Sequence, residues 1–238
     1  MTAMQQTSLF RSPGHSITVA ALQKSFRSGE EIYHALQGVT CAMPQGKVTI
    51  IQGPSGCGKS TLLNMLGGVD RPDDGRVTIG DRDLTAIRAE RELAHYRLRE
   101  VGFIFQAFNL IAGLTALENL QLPMTVAGVD RPEQIERARA LLGLVGMAGK
   151  AAKRPDALSG GEQQRVAMAL ALVNDPPIVL ADEPTGNLDT ANARTVVDLL
   201  CALAADFGKT VVITTHDPAV AERADQLLHM RDGRFQPA

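Results

Sequence analysis

The spacing of hydrophobic positions along this 238-residue chain changes period several times, and those changes divide it. Alternating apolar and polar residues over Ile17–Phe26 and Ile32–Thr40 predict two antiparallel strands. Lys47–Gln52 is a β-branched run that ends at Gly-Pro; it predicts a buried strand, with a helix from Lys59 to about Leu66 behind it. Asp73-Asp74-Gly75 reads as a turn, Arg76–Ile79 as a short strand, Glu90–Glu100 as a charged helix and Gly102–Phe105 as a further strand. From about Ala107 to Val173 helical spacing takes over. Within Glu133–Val145, for example, Ile135, Ala138, Leu141, Leu142 and Val145 fall on one face. Strand and helix then alternate again through Pro177–Ala181, Thr190–Phe207, Thr210–Thr214 and Ala219–Ala224. That alternation predicts an α/β fold on a largely parallel sheet. Residues 1–15 are expected to be a flexible tail and residues 16–238 one domain. In it, 16–106 and 174–238 form the core with an antiparallel β subdomain, and 107–173 an inserted α-helical subdomain.

Composition narrows the function classes. Lys and Arg number 24 against 26 Asp and Glu, so no general affinity for nucleic acid is expected. The longest apolar runs, such as Ile178–Ala181, are far shorter than the roughly 20 residues of a membrane span. The first residues carry no apolar core of signal-peptide length, and a cytoplasmic protein is expected. The three cysteines, Cys41, Cys57 and Cys201, fit neither a disulfide framework nor a zinc pattern.

Chemistry enters at the ends of strands. Residues 53–60, Gly-Pro-Ser-Gly-Cys-Gly-Lys-Ser, fit the phosphate-loop pattern and have its required context, a strand before and a helix after. Glycines let such a loop curl so that backbone N–H groups face phosphate oxygens. Lys59 reaches the β- and γ-phosphates, and the Ser60 hydroxyl can ligate Mg²⁺. Residues 178–183 form an apolar strand ending in two carboxylates; behind a phosphate loop, Asp182 is placed to hold Mg²⁺ through water and Glu183 to act as general base toward an attacking water. Gln106 and His216 each follow a predicted strand, where α/β sheets place their ligands, although either alone is an ordinary surface residue. A second anion-binding arrangement occurs at Leu158–Arg165, where a serine and a glycine pair open a predicted helix.

In this order the motifs resemble those of the nucleotide-binding subunits of ABC transporters, over about Ile17 to Phe235. They are the phosphate loop at 53–61, Gln106, LSGGEQQ at 158–164, the acidic strand at 178–183, the D-loop Asn187-Leu188-Asp189 and His216. The resemblance implies a phosphate-loop NTPase sheet core that binds ATP and Mg²⁺. It puts Gly53, Pro54, Ser55, Gly56, Cys57, Gly58, Lys59, Ser60 and Thr61 around the phosphates, and Phe26 under the adenine with Tyr33 as second choice. Ser60, Gln106 and Asp182 would serve the metal, and Glu183, His216 and Gln106 the hydrolysis. It further implies a head-to-tail homodimer in which Ser159, Gly160, Gly161 and Asp189 meet the nucleotide held by the other protomer. An integral membrane subunit is implied as second partner, docking near Ala107–Met124 on the cytoplasmic face of the membrane, although most of that apolar stretch also reads as subdomain core. Residues 181–189, Leu66-Gly67-Gly68 and Phe103-Ile104-Phe105-Gln106 are similar to the subgroup serving macrolide, lipoprotein-releasing, glycolipid and peptide exporters. An importer subunit, a soluble ABC ATPase outside transport and a non-hydrolysing module are the competing readings. Two positions depart from the family pattern. Leu170 stands where arginine is usual, and Cys57 where serine is commoner. A thiol at a helix N-terminus is expected to have a lowered pKa and to react with alkylators.

Overall fold

The computed structural model describes residues 9–236. Two sheets form the frame. The smaller has strand order β2-β1-β4-β5, built from β1 (Ile17–Ser28), β2 (Glu31–Met43), β4 (Asp74–Ile79) and β5 (Arg82–Asp83), all paired antiparallel. The larger has order β10-β9-β3-β8-β7-β6, from β3 (Val48–Gln52), β6 (Val101–Ile104), β7 (Ile178–Asp182), β8 (Thr210–Thr215), β9 (Gln226–Arg231) and β10 (Arg234–Phe235). Its strands run parallel except at the β9–β10 hairpin. The helices are α1 (Lys59–Leu66), α2 (Glu90–Arg99), α3 (Ala116–Val126), α4 (Arg131–Leu144), α5 (Gly160–Ala171), α6 (Thr190–Phe207) and α7 (Pro218–Ala221).

Strand side chains alternate between the two faces of a sheet, and here each face is buried in its own core. Val48, Ile50, Val179, Ala181, Val211 and Ile213 join the cluster that holds the apolar sides of α3, α4, α5 and α6. Ile51, Ile178, Leu180 and Val212 join the cluster that holds α1, α2 and the antiparallel sheet. The strands therefore end together at one edge, where the β3–α1 and β7–α6 connections and the residues after β6 and β8 emerge. Within α4, Ala138, Leu141 and Leu142 are buried as the helical spacing predicts, as is Val145 just beyond it, while Ile135 is half-buried. Leu170 is half-buried against the larger cluster and lines a cavity of about 170 Å³ with Phe103 and Pro123 and with the polar Arg97 and Asn174.

Two expectations are corrected. The segment read as a flexible tail is packed from Leu9 onward. Leu9 and Phe10 are buried, the Phe10 ring lies 4.5 Å from that of Phe207, and the N–H groups of Arg11 and Ser12 donate to Asp175 Oδ2 at 2.8 and 2.9 Å. Arg137 donates to Leu9 O, and the fully buried Lys209 donates to Ser12 O and pairs with Asp175. Residues 1–8 lie outside the described residues. The second correction is β9, a strand absent from the sequence reading. It pairs with β3 and brings Met230 O so close to the start of the phosphate loop that a Cβ on Gly53 would sit 2.2 Å away. At Gly53 the glycine is required by this neighbour.

Candidate functional site

The phosphate loop leaves β3 and enters α1, with Gly58 as the helix N-cap at φ 106° and Gly56 at φ 77°. Both angles are in the left-handed region that favours glycine. Gly58 is also sterically fixed, since an added Cβ would meet Ala35 O at 2.4 Å. The start of α1 has no side-chain cap, which leaves its N–H groups free for an anion.

Beside this loop lies a cavity of about 340 Å³, lined by Tyr33, Ser55, Gly56, Gly58, Lys59, Ser60, Thr61, Gln106 and Glu183. Lys59, only 4% exposed, donates from Nζ to Gly53 O and Pro54 O, both at 2.9 Å, and lies 3.3 Å from Glu183 Oε1. The other oxygen, Oε2, is 2.9 Å from Nδ1 of the exposed His216. One carboxylate on the cavity wall thus joins a buried cation to an imidazole that lies outside the lining. Glu183 occupies φ 43°, a strained value for a non-glycine residue, of order 1–3 kcal/mol. Its N–H donates to Thr214 O at 3.2 Å and Thr214 Oγ1 at 3.1 Å. The Thr214 hydroxyl in turn donates to Asp182 Oδ1 at 2.6 Å. Thr214 therefore positions both acidic residues, a role the sequence reading did not assign. Its place at the C-terminal end of β8, two residues before His216, was the available signal.

Among the described residues no three His, Cys, Asp or Glu side chains cluster as a metal site. Ser60 and Gln106 line the cavity, while Asp182, at the end of β7, lies outside its lining. A few hard oxygen donors suit Mg²⁺, which keeps several waters and takes further ligands from phosphate, better than they suit an ion needing an all-protein cage.

The aromatic residues assigned to adenine divide. Phe26 and Tyr33 are directly opposed in the β1–β2 register and both are exposed. Tyr33 lines the cavity and donates its hydroxyl to Gly56 O at 2.5 Å, while Phe26 lies outside the lining, with Lys24 Nζ 5.2 Å from its ring centre. Cys57 overturns the expectation of a reactive thiol. The residue is 3% exposed in the smaller core cluster, its carbonyl accepts from Gly233 N–H beneath the β9–β10 hairpin, and burial pushes the thiol pKa up, outweighing the lowering by Lys59.

The second anion-binding element stands apart. Ser159 is the N-cap of α5, in a capping box with Glu162 whose carboxylate also pairs with Lys150. Neither Ser159, Gly160 nor Gly161 lines the phosphate-loop cavity. Asp189 is the N-cap of α6 and accepts from Asn192 N–H at 2.9 Å. That hydrogen bond, with a second from the Asn192 side chain, lowers the Asp189 pKa. Asn187 at the same loop donates to Gln106 O at 3.2 Å. Along the stretch after Gln106, Leu120 is fully buried while Ile111, Leu122 and Val126 are exposed.

Comparison with known proteins shows the family of the chain. The profile described as ABC transporter matches residues 36–186. An uncharacterized ABC transporter ATP-binding protein of Thermotoga maritima is 46% identical, covering 90% of both chains. The lipoprotein-releasing system ATP-binding protein LolD of Bacteroides fragilis is 42% identical over 92% of this chain and 99% of its own. The macrolide export ATP-binding/permease protein MacB of Rhodospirillum rubrum is 44% identical over 93% of this chain, which spans 34% of that longer protein. Among solved structures, a dimeric bacterial ABC transporter cassette superposes with a TM-score of 0.87 at 40% identity, over 93% of this chain and 97% of that one. The same cassette in a post-hydrolysis dimer bound to ADP and phosphate gives 0.86.

Proposed function

This chain belongs to the ABC transporter family as an ATP-binding, ATP-hydrolysing subunit, and from that premise we propose how its residues divide the work. The triphosphate lies along the loop 53–61, with its phosphates on the free N–H groups of α1 and on Lys59. Ser60, Gln106 and Asp182 hold Mg²⁺, which when bound neutralises phosphate charge. Glu183 accepts the proton of the attacking water, and His216, in contact with its other oxygen, fixes the carboxylate and faces the γ-phosphate. Tyr33 and Phe26 form the edge on which adenine stacks.

Two protomers pack head to tail, so that Ser159, Gly160, Gly161 and Asp189 of each close over the nucleotide of the other. The separation of α5 from the phosphate-loop cavity supports this reading, because each element holds one half of what a nucleotide site needs. ATP then acts as the glue of the dimer and hydrolysis releases it. The membrane subunit docks on the cytoplasmic face around Ile111, Leu122 and Val126, the exposed apolar side of α3 and the loop before it. No described helix is long and apolar enough to cross a membrane. Likeness to the lipoprotein-releasing and macrolide-export ATPases supports an exporter or mechanotransmission complex for lipid, lipoprotein, peptide or drug.

The single observation carrying the hydrolytic reading is Glu183, strained and held between Lys59 and His216. Glu183→Gln should retain ATP and lower turnover by roughly 10²–10⁴-fold, the range of a lost general base. Turnover equal to that of the parent would remove Glu183 from that role.

A further inference from the structure

Asn192, in the first turn of α6, meets three residues at once: Asp189, and Arg165 and Gly161 of α5. Its N–H and Nδ2 donate to the two oxygens of Asp189, at 2.9 and 2.7 Å. Its Oδ1 accepts from Arg165 Nη1 of α5 at 2.9 Å. It also rests on the bare Cα of Gly161, where an added Cβ would stand 2.5 Å from both Asn192 Cγ and Oδ1. Gly161 and Arg165 lie four residues apart and so share a face of α5. Gly160, by contrast, has no neighbour closer than 3.8 Å to such a Cβ.

Only a carboxamide satisfies this arrangement. The amide donors face a carboxylate and the amide oxygen faces a guanidinium, and a flipped amide would put oxygen against oxygen and N–H against N–H. Aspartate would keep the acceptor for Arg165 but oppose Asp189 with like charge. An aliphatic residue would remove the side-chain bonds to both, leaving Asp189 only the backbone N–H of residue 192. Gly161 is buried, so the close approach of α6 to α5 at this point depends on the glycine.

We propose that Asn192 is a positioning residue that locks the D-loop carboxylate of Asp189 to α5, the signature helix that LSGGEQQ opens, so that Asp189, Ser159 and Gly161 reach the partner's nucleotide as one rigid unit. This rests on the head-to-tail dimer proposed above. Asn192 itself need touch neither nucleotide nor partner; its effect is on the geometry of the surface that does. The lock belongs to the protomer, so it fixes the surface before the two copies meet, which lowers the cost of ordering on association.

The test compares Asn192→Ala and Asn192→Asp with the parent, each in the Glu183→Gln background and in the hydrolysing chain. The first readout is the protein concentration needed for ATP-dependent dimerisation, by sedimentation. The second is affinity for a fluorescent ATP analogue at protein concentrations below dimerisation. Both variants should need about tenfold more protein to dimerise, the effect of losing a hydrogen bond to a charged group, with analogue affinity within about twofold of the parent. In the hydrolysing chain, specific activity at saturating ATP should fall about tenfold and recover as protein concentration rises, a recovery that general destabilisation would not produce. Dimerisation at the parent's protein concentration overturns the proposal. So does a loss that follows analogue affinity or folded content measured by circular dichroism. Failure of ATP to dimerise the Glu183→Gln parent, with Asn192 intact, would instead overturn the head-to-tail reading, and the proposal with it.

Discussion

The phosphate loop and the signature helix both present a helix N-terminus, yet they are wired differently. At the phosphate loop α1 is uncapped, and the residue that opens it, Lys59, contacts the loop carbonyls and the carboxylate that also meets His216. At the signature helix Ser159 closes a capping box with Glu162, and Gly161 is seated against Asn192. The first end is joined to the carboxylate of Glu183, the proposed general base. The second is joined to scaffold and to the D-loop, and among the described residues no hydrogen bond or ion pair links it to the first. In the proposed reading one chain thus carries a site that holds a nucleotide and a separate surface that covers the partner's. The groups proposed for hydrolysis sit with the former, and the latter supplies rigidity.

The largest effect should fall on the loop. Lys59→Met removes the cation from a buried, hydrogen-bonded pair, a loss of about 2–5 kcal/mol and so roughly 30-fold or more in ATP affinity. Titration with a fluorescent ATP analogue checks this, and affinity within a few-fold of the parent would break the contrast, since neither region would then be the binding end. A smaller effect should fall on the signature helix alone. Gly161→Ala drives a methyl group into Asn192 and should cost about 1–3 kcal/mol through overpacking. It should weaken ATP-dependent dimerisation about tenfold while the affinity of the monomer for the analogue stays within about twofold. Gly160→Ala, whose Cβ would meet nothing closer than ordinary contact at 3.8 Å, should leave the unfolding midpoint of the protomer unchanged. The smallest effect sharpens the loop end. Because burial raises the Cys57 thiol pKa and covers its sulfur, alkylation at neutral pH should be slower than for an exposed thiol. Fast stoichiometric labelling that ATP prevents would instead show a reactive thiol at the phosphates.

Much of this was legible because the signals are local. The run Lys47–Gln52 followed by 53–60 specifies strand, turn and helix within a few residues, and the structure places all three there. The separation between Ala107 and Val173 is also local, since helical spacing replaces alternation. What stayed hidden depends on distant neighbours. Leu9 and Phe10 are a single apolar pair among polar residues, and their anchors, Asp175, Lys209 and Phe207, lie far along the chain. In β9 the side chains of Leu227 and His229 are exposed, so Gln226–Arg231 offers little burial to read, yet it dictates Gly53 through Met230. The rule for a cysteine at a helix N-terminus failed at Cys57 because the β9–β10 hairpin closes over that side of the loop. Phe26 and Tyr33 are opposed in register, and only the fold shows that Tyr33 reaches Gly56. Thr214 and Asn192 act by hydrogen bonds to residues on other strands and helices, which no short motif records.

The central claim is that the two N-termini act across a dimer. Sedimentation of the Glu183→Gln chain with and without ATP and Mg²⁺ tests it most directly. A dimer that forms with ATP, is absent with ADP, and is lost on Ser159→Arg while affinity for the ATP analogue persists is the predicted result. A chain that binds ATP and remains monomeric across the same protein concentrations would contradict the account.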